Sequence, residues 1–108
     1  MRDDVIQTDS LVGVEKEWGR ILDIVGEGNR EGGGSYSISL IEYEKPHFSG
    51  SHDDTEMIFV LSGQGKARVG ERTTEIRAGS LVTIPQNTLH GIVEVGGAPI
   101  RALLIHVV

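Results

Sequence analysis

The stretch Ser51–Gly65, SHDDTEMIFVLSGQG, decides the fold. Glu56 opens an alternating apolar run in which Ile58 and Val60 share its face, the pattern of a strand with one side buried. His52 stands four positions earlier, across Asp53-Asp54-Thr55. On a straight strand four residues span about 13 Å, at roughly 3.3 Å each. Ligands of one metal ion must all come within ~2.0–2.2 Å of it. The chain therefore has to bend between His52 and Glu56 if both serve one ion, and Asp-Asp-Thr is turn chemistry suited to that bend. A carboxylate aimed into an apolar interior is costly unless a cation compensates it. The run thus predicts a barrel strand that carries a metal-binding acid inward.

A second segment, GSLVTIPQNTLH at residues 79–90, supplies the other half. Leu81–Ile84 reads as a short strand that Pro85 ends, since proline cannot donate to a sheet. The chain turns through Gln86 to Leu89 and re-enters with His90, whose parity Ile92 and Glu94 share.

Working outward, Ser35–Tyr43, Glu56–Leu61, Lys66–Val69, Thr73–Arg77, Leu89–Val95 and Ile100–Val107 read as further strands. Gly70-Glu71 is a Gly-X pair suited to a type II′ hairpin. Fifteen glycines and roughly seven or eight strands at about ten-residue spacing predict an all-β barrel or sandwich. A jelly roll is favoured because closure leaves fewer exposed edges. The segment Val14–Ile24, interrupted by Gly19, reads as a short strand or an irregular arm packed on the barrel. The expectation is one domain over residues 1–108, with an N-terminal arm or strands at 1–34 and the barrel proper, carrying both histidine-bearing segments, at 35–108.

The chain has 108 residues, enough for one domain, and a formal net charge of −6. Its ten basic residues are scattered singly, which argues against nucleic acid and anionic membrane as partners. No apolar run approaches the ~20 residues of a membrane helix. The absence of cysteine removes disulfides, thiolate metal sites and cysteine nucleophiles together. With no secretory signal at the N-terminus, a cytoplasmic location is expected.

The two histidine-bearing segments resemble the paired motifs of the cupin superfamily. The first motif is a glycine, five residues, His-x-His, three or four residues, Glu, six residues and Gly; His52, Glu56 and Gly63 fall on its second histidine, glutamate and closing glycine. The second is Gly, five residues, Pro-x-Gly, two residues, His, three residues and Asn; Gly79, Pro85 and His90 match it. The resemblance spans Glu44 to Glu94 and implies a double-stranded β-helix, the jelly-roll barrel of the cupins. The departures are specific. Gly50 replaces the first histidine, Glu44 the opening glycine, Asn87 the glycine of Pro-x-Gly and Glu94 the final asparagine. Asn tolerates the left-handed backbone better than most residues, so Asn87 is a mild change.

The resemblance implies one mononuclear divalent transition metal (Fe, Mn, Ni or Zn) held by His52, Glu56 and His90. The alternative to this three-residue set is a fourth ligand in place of the missing histidine: His47, reaching in through Phe48-Ser49-Gly50-Ser51, or His106 from the last strand. Two histidines and a carboxylate form the facial triad of non-haem Fe(II) oxygenases. The expected activity is a metal-dependent enzyme such as an Fe(II)-dependent dioxygenase on a small organic substrate. A metal-dependent isomerase, epimerase or lyase, or a non-catalytic cupin that binds a small ligand, are the alternatives. A homodimer is expected, from the family and because Met57, Phe59 and Leu61 form an apolar face opposite Glu56.

Overall fold

Alternation along one strand, β5 (Thr55–Ser62), sorts the molecule into inside and outside. Glu56, Ile58 and Val60 are buried while Phe59 and Leu61 are exposed. The computed structural model describes residues 5–29 and 35–107. Within these, the chain forms a 3-10 turn at Thr8–Ser10 and ten strands in chain order. These are β1 (Val14–Lys16), β2 (Gly19–Asn29), β3 (Ser35–Tyr43), β4 (His47–Gly50), β5, β6 (Gln64–Val69), β7 (Arg72–Arg77), β8 (Leu81–Ile84), β9 (His90–Val95) and β10 (Ile100–Val107).

They build two antiparallel sheets, one in the order β1-β2-β3-β10-β5-β8 and the other β4-β9-β6-β7. The fold is the all-β jelly-roll barrel. Its core joins inner residues of both sheets: Ile41, Tyr43, Ile58, Val60, Ile84, Ile100 and Ala102 from the larger, and Ala67, Ile76 and Ile92 from the smaller. No helix among the described residues is long and apolar enough to cross a membrane.

The hairpin expected at Gly70-Glu71 joins β6 to β7, with Val69 paired to Arg72 and Gly70 at φ 61°. A positive φ at the first central residue alone fits a type II′ turn, which only glycine adopts readily there. Gly63, between β5 and β6, has φ 87°, and a Cβ on it would lie 2.4 Å from the Pro99 carbonyl oxygen.

Two regions differ from the sequence reading. The arm is an eleven-residue strand, β2, paired along β3. Its register shifts between Asp23 and Val25 and again between Val25 and Gly28, which breaks the period-two pattern that marks a strand. Residues 47–50, outside the strands expected from sequence, form the edge strand β4 against β9. Pro46 precedes that strand and Gly50 ends it, both residues that weaken a strand signal.

Candidate metal centre

Antiparallel pairing places opposite residues side by side on one face of a sheet. On the inner face of the larger sheet, Glu56 lies opposite Ile84 on β8 and opposite His106 on β10, and His106 lies opposite Ser37 on β3. The flanking row is Val82, Ile58, Leu104 and Ser39. A carboxylate thus stands in the barrel with aliphatic side chains beside it.

His90 begins β9 on the facing sheet and is 1 % exposed. His52 comes from the bend before β5 and is exposed. The Asn87 N–H donates to the His52 carbonyl at 2.5 Å, tying the two motif loops together, and Asn87 has φ 56°. It holds the left-handed backbone at the position where the family motif has glycine. One potential ligand atom from each of His52, Glu56 and His90 lies within 4.8 Å of the others.

The protonation pattern tests whether an ion fits. His90 Nδ1 donates to the Thr88 carbonyl at 2.9 Å, so a neutral imidazole leaves the lone pair on Nε2. That Nε2 lies 2.5 Å from Glu56 Oε2, yet neither atom has a hydrogen-bond partner, and both are buried. Two lone pairs facing each other at this distance repel. A cation bound by both atoms would turn repulsion into coordination, and the Thr88 contact is the kind that fixes a metal-ligating histidine. The donor set is therefore one that can hold a metal ion.

With the histidines protonated and no ion bound, their charges act on the carboxylate instead. Burial works to raise the Glu56 carboxyl, but the His106 hydrogen bond and the neighbouring His90, His106 and His52 outweigh it, leaving the group below the usual carboxylate range. His106 is raised, first by its hydrogen bond to Glu56, against burial, with Glu56 and Asp54 adding charge attraction. Tyr43 is pushed far above the ordinary phenol range by burial and by the Glu56 charge, so it stays a neutral phenol.

His47 stands elsewhere. It faces Ile92 across β4–β9, and its ring stacks on Trp18 with centroids 4.3 Å apart. It is not one of the residues whose ligand atoms converge. Gly50, at the position of the motif's first histidine, pairs with His90, and a Cβ built on it meets no atom within 4 Å. Glu94, of the same parity as His90 in sequence, is exposed and 4.0 Å from Lys66, because the ladder slips between Lys66 and Ala67.

Sequence reasoning passed over Asp54 as a solvated turn residue. It is half-buried, with Oδ2 3.5 Å from His106 Nδ1. The parity of His106 with Ala102 and Leu104 was the available signal for its inward aim, but its pairing with Glu56 needs the β5–β10 register.

The sequence profile of the Cupin_2 family, described as a cupin domain, matches residues 41–106. No curated protein matches the chain. Among solved structures, the polyketide cyclase RemF from Streptomyces resistomycificus superposes with a TM-score of 0.79 at 17% identity, covering 98% of this chain and 80% of that one. The plu4264 protein from Photorhabdus luminescens gives 0.73 at 18% identity, with 98% and 85% covered. The oxalate decarboxylase of Lactobacillus farciminis, crystallised as its formate complex, gives 0.74 at 20% identity. The match covers 91% of this chain but only 31% of the decarboxylase. At these identities the likeness is one of fold.

Proposed function

The chain belongs to the cupin family, and on that premise we propose that it is a mononuclear metal enzyme acting on a small organic molecule, with His52, Glu56 and His90 as ligands. The observation that carries this reading is the facing pair of buried, unpartnered atoms, Glu56 Oε2 and His90 Nε2. In its most specific form the protein is an Fe(II)-dependent dioxygenase, because two histidines and one carboxylate leave coordination positions free. A bound divalent ion supplies a Lewis acid and, as iron, a site for dioxygen.

The protein's own residues set the terms of access. The space between the sheets, lined by Tyr43, Ser49, Ile58, Ile84, His90 and Ile92 among others, has no room for a water molecule. Substrate therefore approaches from the side of exposed His52 and the open space beside Gly50, and its reacting end must be small. Tyr43, a neutral phenol on the inner face, is available as a hydrogen-bond donor. Oxygen uptake by anaerobically iron-loaded protein with candidate substrates tests the dioxygenase. Turnover without oxygen consumption would replace it with the second reading, a lyase, isomerase or epimerase on Mn, Ni or Zn. That reading has some support in the decarboxylase and cyclase among the structural neighbours.

We also propose a homodimer formed through the outer face of the larger sheet. Leu81, Phe59, Leu103, Leu40 and Leu22 lie opposite one another in one row across five strands. Met57, Ile105, Ile38 and Val25 form a parallel row. Monomers seldom leave an apolar patch of this extent open to water. A cytoplasmic setting accords with the chain's lack of cysteine.

A further inference from the structure

The two oxygens of Glu56 have different partners. Oε2 faces His90 and has no hydrogen bond, while Oε1 is 2.5 Å from His106 Nε2 and bonded to it. His106 does not join the convergent group of His52, Glu56 and His90, one ligand atom from each of which lies within 4.8 Å of the others. Ligands ~2.0–2.2 Å from one ion cannot be more than about 4.4 Å apart. His106 thus engages the carboxylate oxygen that does not face His90.

Its second ring nitrogen is engaged as well. Nδ1 lies 3.5 Å from Asp54 Oδ2, and the Asp54 side chain is drawn in from the turn until it is 17% exposed. The order is Asp54, His106, Glu56, running from the bend that carries His52 to the acid that shares its ion. A freely rotating carboxylate offers an ion either oxygen, both, or neither. One whose Oε1 is fixed by a donor holds a single orientation, with Oε2 left free of hydrogen bonds.

We propose that His106 is a positioning residue: braced by Asp54, it clamps Oε1 of Glu56 so that Oε2 alone is presented to the metal, in place of acting as the histidine the motif lacks at Gly50. The inference rests on the metal-binding reading above. Partners that orient a metal ligand in this way are typically worth 10–100-fold in metal affinity.

The test is titration of wild type, His106→Ala, His106→Gln and Asp54→Asn with Co(II), read by its visible absorption, with X-ray absorption at the cobalt edge to count bound imidazoles. The expected result is two imidazoles in both wild type and His106→Ala. The Co(II) Kd rises about 10–100-fold in His106→Ala, with an altered band shape from a loosened carboxylate. His106→Gln, whose amide N–H can replace the Nε2–H, recovers most of the affinity, and Asp54→Asn lies between. Three imidazoles in wild type falling to two in His106→Ala would make His106 a ligand and overturn the inference. So would unchanged affinity and spectrum in His106→Ala, or failure of His106→Gln to recover affinity while still folded. Wild type that binds no Co(II) would instead remove the metal-binding reading itself.

Discussion

Replacing Glu56 by Gln separates the energetics of the fold from those of the ion. The side chain is 5% exposed, and the change removes one negative charge while keeping shape. The amide oxygen can still accept the His106 Nε2–H that now reaches Oε1. The amide N–H₂ can donate to His90 Nε2, which has no partner. The metal-free variant should therefore stay within about 1–2 kcal/mol of wild type, the scale of one or two net hydrogen bonds. With metal the two diverge. An ion at 100 times its Kd stabilises the folded state by about 2.7 kcal/mol. For a domain near 100 residues, each kcal/mol moves Tm by roughly 4–8 °C, so wild type should gain about 10 °C or more. Glu56→Gln lacks the anionic ligand and should gain almost nothing at the same metal concentration. Thermal unfolding of both proteins, metal-free and with Mn(II), reads all four values. Equal metal-induced shifts in the two would refute the reasoning, as would a metal-free variant several kcal/mol less stable than wild type.

Other expectations concern the core, the outer face and the Trp18 stack. Ile100 is fully buried between the sheets, so Ile100→Ala should cost about 2–5 kcal/mol in urea unfolding; a loss under 1 kcal/mol would mean the barrel end is loosely packed. Phe59→Lys, on the outer face, should give a monomer mass by light scattering and leave metal binding intact, whereas an unchanged mass would place the interface elsewhere. His47 is lowered by burial and then by the nearby His90 charge. The unfolded chain therefore binds that proton more readily, and stability is highest above the ordinary histidine value near ~6.5 and falls as pH drops through it. The stability difference between wild type and His47→Gln should accordingly shrink from pH 7 to 5; a difference independent of pH would contradict the assignment.

The barrel was legible where period-two alternation survived. Ser35–Tyr43, Leu81–Ile84 and Ile100–Val107 are strands with the bounds read from sequence, because β-branched runs there end at glycine, proline or turn residues. The second strand was not legible, since two register shifts scramble its faces and an exposed Asp23 stands opposite buried Ser39, accepting its hydrogen bond. The convergence of His52, Glu56 and His90 was legible from motif spacing together with the cost of a buried acid. The roles of Asp54 and His106 were not. They depend on a pairing fifty residues apart in the chain, and local patterning carries no register between distant strands.

The most direct check is metal analysis of protein purified without chelator, for wild type beside His90→Ala. About one transition-metal ion per wild-type chain, and far less than one in the variant, is the expected result. Wild type free of transition metal and unable to take one up at micromolar concentration would contradict the account, as would a variant that retains the full complement.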